Sequence, residues 1–198
     1  MKKMYLIMTL VCMIMVSCKP DGATGKHEGH EYVDLGLSVK WATCNIGANT
    51  PEEFGQYFAW GETTTKAEYT YENSTTYGKT MNDISCNAQY DAATANWGGN
   101  WRMPTSDELY ELINNCTWTS GGNGCKVTGP NGNSIFLPAA GYRDGSSLNG
   151  AGSGGLYWSS TPSDYGGYDA YYLGFISSGH GMGYGYRYGA RSLRPVLE

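Results

Sequence analysis

The side chains that could do chemistry are few. Of three histidines, His27 and His30 stand in His27-Glu28-Gly29-His30-Glu31, and His180 stands among glycines. That H-E-x-H spacing is one residue short of H-E-x-x-H, which puts two imidazoles on one helix face around zinc. The segment therefore reads as polar chain, with His30 opening the folded part. Neither a Ser nor a Cys context near His180 suggests a triad. C-x-x-C is absent, so zinc-ribbon and thioredoxin-type chemistry are unsupported. Asp164 and Asp169 could ligate a hard cation through oxygen, but two scattered acids are ordinary surface groups. Asp144, in Arg143-Asp144-Gly145, suits a turn. The expectation is no catalysis, no metal and no cofactor.

Tyrosine offers a different chemistry. Ser163-Asp164-Tyr165-Gly166-Gly167-Tyr168-Asp169 and residues 179–188 are built mostly of Tyr, Gly, Ser and Asp. A tyrosine ring gives a large amphipathic contact with little entropy to lose, and Gly and Ser let the backbone adapt; antibody loops use the same mixture. Half a dozen rings, at about 150–250 Å² each as an upper bound, could bury several hundred Å² against a partner. The candidate ligand-binding residues are Ser163, Asp164, Tyr165, Tyr168, Asp169, Tyr172, His180, Tyr184, Tyr186 and Tyr188. A plainer reading is that the Gly183-Tyr184-Gly185-Tyr186 alternation is an aromatic-packed strand pair, with Tyr157 and Tyr171 in the core.

Something must position these groups, and composition limits what. The chain has 198 residues with 29 Gly, 17 Tyr and 6 Trp. Glycine is thus about twice its usual ~7% share, which disfavours a helical bundle. High aromatic content excludes a disordered acidic chain. A net charge of −5 speaks against a nucleic-acid partner.

Lys2 and Lys3 precede the uncharged run Met4 to Val16, which suits a secretory leader and is short for a membrane span. Met15-Val16-Ser17-Cys18 resembles a bacterial lipobox, making Cys18 the lipidated residue. Residues 1–17 are then a signal peptide, 18–29 a Gly/Pro/polar tether, and 30–198 one domain. No Asp stands immediately after Cys18, which by analogy with Gram-negative lipoproteins favours the outer membrane. After export, Cys44, Cys86, Cys116 and Cys125 remain as disulfide candidates with three possible pairings. A local Cys116–Cys125 bridge would span a Gly-rich turn; buried free thiols are the alternative.

The clearest element is a helix over Ser106 to Cys116. Thr105 and Glu108 form a capping box, and Leu109, Leu112, Ile113 and Cys116 make one apolar stripe. Tyr90 to Asn96 reads as a short helix closed by Gly98 and Gly99. Strands are expected within Glu31–Thr43, broken at Gly36, and at Gln56–Trp60, Ser134–Gly141, Tyr157–Ser160, Ala170–Ile176 and Arg191–Val196. Residues 117–128 read as a hairpin. Residues 61–88 and 143–155 read as irregular. Helices toward the front and strands toward the back predict an α+β domain.

Six segments carry a family resemblance. GHEYVDLGLSVKWATCNIG (29–47), FGQYFAWGE (54–62), NWGGNWRMPTSDELYE (96–111), IFLPAAG (135–141), YWSS (157–160) and RSLRPV (191–196) resemble the Fibrobacter succinogenes major paralogous domain. The resemblance covers residue 29 to the C-terminus. It implies a secreted or lipid-anchored bacterial protein with a C-type-lectin-like fold, related to the formylglycine-generating-enzyme domain. It also implies one irregular, strand-backed binding face; such C-terminal segments serve as variable receptors of diversity-generating retroelements. The reactive C-terminal cysteine pair of formylglycine-generating enzymes has no counterpart, since no Cys follows Cys125. The Glu-Pro-Asn and Gln-Pro-Asp motifs of calcium-dependent lectins are absent too.

The expected protein is a non-catalytic, lipid-anchored outer-membrane lipoprotein at the cell surface. It would hold an extracellular protein or glycan on its C-terminal face. A formylglycine-generating type of enzyme and a structural part of a surface fibre or envelope complex are the rival readings.

Overall fold

Helices form only where the sequence supplies a cap. The computed structural model describes residues 25–198; the expected leader and Cys18 lie outside them. α1 (Ala92–Trp97) starts where the Asp91 carboxylate accepts the Ala93 and Thr94 N–H groups. The same carboxylate accepts the N–H groups of Cys86 and Met103, so one buried side chain pins three chain segments. α2 (Ser106–Asn115) starts with the expected capping box of Thr105 and Glu108. Its Leu109 and Leu112 are buried, and Ile113 and Cys116 pack partly against the same core.

The rest is strand. β1 (Gly25–His27), β2 (His30–Val33), β3 (Lys40–Ala42) and β4 (Phe58–Ala59) precede the helices. After them come β5 (Thr117–Gly121), β6 (Gly124–Thr128), β7 (Ser134–Pro138), β8 (Tyr142–Asp144), β9 (Ser147–Asn149), β10 (Gly154–Pro162), β11 (Asp169–Ile176), β12 (Gly179–Tyr186), β13 (Ala190–Arg191) and β14 (Val196–Leu197). They make four small sheets, ordered β1-β2-β3-β14, β4-β13-β8-β9, β5-β6-β7 and β10-β11-β12, and every pairing is antiparallel.

This corrects the fold expectation. The two helices hold six and ten residues, so the described residues are mostly β. They are not an α+β fold of the C-type-lectin or formylglycine-generating-enzyme kind. Glycine carries too much backbone entropy for helix elsewhere, and short strands separated by turns need none. Residues 143–155, read as a loop, contain the β8–β9 hairpin turning at Gly145 (φ 56°). Residues 25–29, read as tether, form β1 and the turn into β2. Residues 179–186 are a regular strand paired over eight rungs with β11, as the plainer reading of their Gly/Tyr alternation has it.

The largest core lies between α2 and the inner faces of the sheets. It joins Val33, Trp41, Leu109, Leu112, Val127, Leu137, Tyr157, Leu173, Phe175 and Val196. A second cluster centres on Trp60, Trp158, Met103 and Leu193. The C-terminal strand closes onto the first sheet, since β14 pairs with β3 and Val196 exchanges two backbone hydrogen bonds with Arg102. Buried beside β3, Arg194 donates to Asn45 Oδ1 and to the carbonyls of Ala42, Thr43 and Phe136 at 2.6–3.0 Å.

Among the described residues the four cysteines stand as free thiols, the alternative to the disulfide pairings. In the β5–β6 ladder Cys125 faces Ser120, and Thr117, next to Cys116, faces Thr128. Cys116 is thus four residues along the ladder from Cys125's partner, on the order of 13 Å at strand rise, beyond the ~7 Å Cα reach of a disulfide. Burial instead pushes the Cys116 thiol up to about 11.

Candidate functional site

The site begins with two cations held away from water. Arg187 is buried and stacks on the Trp60 ring at 4.3 Å. Its guanidinium donates to the carbonyls of Asp169 (3.0 Å), Thr76 (3.4 Å) and Lys79 (2.8 Å). It therefore clamps the 76–79 turn to the start of β11. Thr76 Oγ1 donates to the Trp60 carbonyl, and the Trp60 N–H donates to the Arg187 carbonyl. Gly167 (φ 87°) completes the junction: its carbonyl accepts the Gly78 N–H at 3.0 Å, and a Cβ there would meet the Lys79 carbonyl oxygen at 2.7 Å.

Arg191 lies between Trp158 (3.8 Å) and Tyr172 (4.4 Å). Burial pulls its pKa down to about 10. Tyr172 lies over the glycines of β12: a Cβ on Gly183 would meet its ring carbon and hydroxyl at 2.8 Å. Tyr172, a predicted ligand residue, thus packs the sheet.

These fixtures gather tyrosines. Tyr77, on the clamped turn, has Tyr168 at 5.0 Å, Tyr188 at 5.2 Å, Tyr186 at 6.1 Å and Tyr71 at 6.4 Å between ring centroids. Tyr186 stacks on Tyr188 at 5.3 Å. Two residues along β12, Tyr184 stacks on Tyr165 at 5.0 Å and faces Tyr171 across the ladder. The Tyr171 phenol is pushed up, first by burial and then by nearby Asp164 and the hydroxyls of Tyr110, Tyr165 and Tyr184. The Tyr77 phenol is pushed up by burial, then by Tyr186, Asp169 and Tyr168. Raised in this way, the Tyr77 and Tyr171 hydroxyls stay protonated at neutral pH and can donate.

One band of tyrosines therefore runs from α2 across the outer end of β12 to the 71–77 segment. Six of them, Tyr71, Tyr110, Tyr165, Tyr168, Tyr184 and Tyr186, are between 46% and 60% exposed. Scattered exposed apolar residues are normal, but a contiguous group marks an interaction surface.

A family model described as the Lcl C-terminal domain matches residues 32–197. The chain belongs to this family. The matched span contains every tyrosine of the band, so the band is part of an Lcl C-terminal domain and not an appendage to one. No curated protein and no solved structure is similar enough to this chain to count as a match.

The predicted residues divide within this Lcl C-terminal domain. Tyr165, Tyr168, Tyr184, Tyr186 and Tyr188 meet in the band, with Asp164 exposed beside Tyr165 and Asp169 facing Tyr186 across the ladder. Ser163 is buried; its N–H donates to the Asp169 carbonyl and its Oγ accepts the Tyr165 N–H, so it closes the loop. His180 stacks on Trp118 at 4.4 Å, six residues down β12 from Tyr186. That is on the order of 20 Å at strand rise, away from the band's centre. Tyr157 is core as expected, whereas Tyr171 is only half-buried. Sequence reasoning missed Tyr71, Tyr77 and Tyr110. The trace it could have followed is the Tyr/Thr/Asn/Gly makeup of residues 69–78, close to that of the C-terminal segments.

Proposed function

We propose that this Lcl C-terminal domain is a non-catalytic binding module, which covers its tyrosine band with an extracellular protein or glycan. Within the family we place it with the Fibrobacter succinogenes major paralogous domain that its six sequence segments resemble. In this reading residues 1–17 are a leader, and Cys18, outside the described residues, anchors the protein to the outer membrane with the band facing outward.

The observation that carries the reading is the convergence of six exposed tyrosines, supplied by four separate segments, on one surface. A folded chain gains nothing from leaving such rings in water; a covering partner would bury them. The strongly placed ionisable groups serve the scaffold: Asp91 holds four backbone N–H groups, Glu108 caps α2, and Arg187 and Arg194 hold carbonyls. That arrangement favours binding over catalysis.

Diversification fits selected positions. Side chains at 165, 168, 184 and 186 can change without disturbing the scaffold, whereas Gly167, Gly183 and Arg187 cannot. Sister sequences should therefore vary at the first group and keep the second.

The test is Tyr184→Ala combined with Tyr186→Ala, probed on arrays of immobilised extracellular proteins and glycans. The double variant should melt like the parent and lose about 2 kcal/mol or more of affinity for whatever the parent binds, as expected of aromatic anchors. Unchanged binding by a folded double variant sinks the reading.

A further inference from the structure

β12 ends its sheet, since the strand order is β10-β11-β12. Beyond the last rung, Asp169↔Tyr186, the Arg187 N–H donates to the Tyr168 carbonyl at 2.9 Å. Hydrogen-bonded rungs alternate with non-bonded ones. Counting back from Arg187, Gly185, Gly183, Gly181 and Gly179 turn their backbone groups toward β11. Met182 and Tyr184 turn both N–H and C=O away from the sheet, and Tyr186 turns out its N–H, its carbonyl being taken by the Gly189 N–H.

Such an edge is normally blunted by charge, proline, a bulge or shortness. This one is eight residues long with no register shift, and its sequence GHGMGYGY has neither charge nor proline. Its two faces differ. On one, a groove of about 500 Å³ is floored by Gly174, Gly181 and Gly183 and walled by Leu156, Tyr172 and Ile176, with no Asp, Glu, Lys or Arg in its lining. On the other stand Tyr184 and Tyr186, with exposed Asp164 on the adjoining loop.

We propose that the outer edge of β12 takes an extended segment of a partner protein as a fourth strand of the β10-β11-β12 sheet. The segment alternates apolar residues toward the glycine-floored groove with basic residues toward the tyrosine band. This rests on the binding reading above and narrows its ligand to a polypeptide. A sugar can stack on the rings, but only a peptide backbone offers alternating N–H and C=O groups at strand spacing. Tyrosine faces attract cations, and Asp164 adds negative charge. A second copy of β12, whose sequence GHGMGYGY holds no Lys or Arg, offers the tyrosine band no cation, so the occupant is a different chain.

The probe is a terminally blocked octapeptide of alternating Val and Lys, added to the full chain. Hydrogen exchange is followed in the 179–187 segment. Binding should slow exchange there, and N-methylation of alternate peptide residues should weaken binding at least tenfold. Met182→Pro should do the same, because the Met182 N–H is unused in the native ladder, although loss of its side chain from the edge of the core should lower the melt somewhat. If that variant does not fold, the N-methylated peptide on the native chain decides alone. The proposal is overturned if the N-methylated peptide binds equally well, if the parent peptide leaves exchange unchanged, or if the segment is already protected in a concentration-dependent way, which would seat a second copy there. Binding lost in the Tyr184→Ala, Tyr186→Ala variant but indifferent to N-methylation would sink the added strand and leave the tyrosine-band reading standing.

Discussion

Glu108 makes three connections with one carboxylate. It accepts the Thr105 N–H at 2.8 Å and receives Arg102 through both terminal nitrogens at 2.6 and 2.8 Å. Burial alone would raise its pKa, but the Arg102 hydrogen bonds and charge outweigh that and hold it below the ordinary carboxylate range. Asp83 follows the same pattern: burial opposes, and hydrogen bonds from Thr161, Ser85 and Ser160 prevail. A carboxylate with a lowered folded pKa contributes stability that is fully present above its unfolded value, about 4.3 for Glu, and is lost as pH falls through the folded value. Asp91 acts in the opposite sense, since burial raises it despite four N–H donors. Glu108→Gln should therefore cost roughly 3 kcal/mol at neutral pH by leaving Arg102 poorly paired. It should also lose less further stability than the parent below about pH 4.3. Urea unfolding across pH 3–7 measures both; an unchanged acid limb would mean that this pair carries no pH dependence.

At the scale of elements, the band depends on a turn and a loop meeting without side chains between them. Gly167 has φ 87°, and a Cβ would press on the Lys79 carbonyl at 2.7 Å. Gly167→Ala should cost on the order of 1–3 kcal/mol, combining a strained left-handed conformation with overpacking. It should free the Gly78 N–H, which now donates to the Gly167 carbonyl. Faster exchange of that amide, with slower amides retained in β6 and β7, is the expected result; uniform loss across the chain would place the strain elsewhere. The α2 capping box and the β5–β6 hairpin were legible because their causes are local: Thr105 and Glu108 lie three residues apart, and the turn is glycine-rich. The β8–β9 hairpin was not legible, because its three-residue strands carry no alternating pattern and β8 is held by pairing with distant β13.

Across the whole molecule, the last residues complete the first sheet. Val196 and Leu197 are buried, and β14 is the outer neighbour of β3. Two buried aliphatic side chains represent about 3–6 kcal/mol, a large part of a typical 5–15 kcal/mol total. Removing residues 196–198 should abolish or sharply lower the cooperative melt followed by near-ultraviolet circular dichroism. An unaltered melt would show that the β14–β3 closure is dispensable. Among the described residues no helix is long and apolar enough to cross a membrane.

Sequence alone determined what depends on neighbours in the chain: the capping box and apolar stripe of α2, the glycine-rich β5–β6 turn, and a C-terminal segment rich in tyrosine. Tertiary structure decided which tyrosines stand together. Tyr77 and Tyr168 lie ninety-one positions apart and meet at 5.0 Å because a buried arginine on a third segment holds both their loops. It also decided the fold class, for strand pairing and register follow from contacts between distant segments, where local periodicity carries no information.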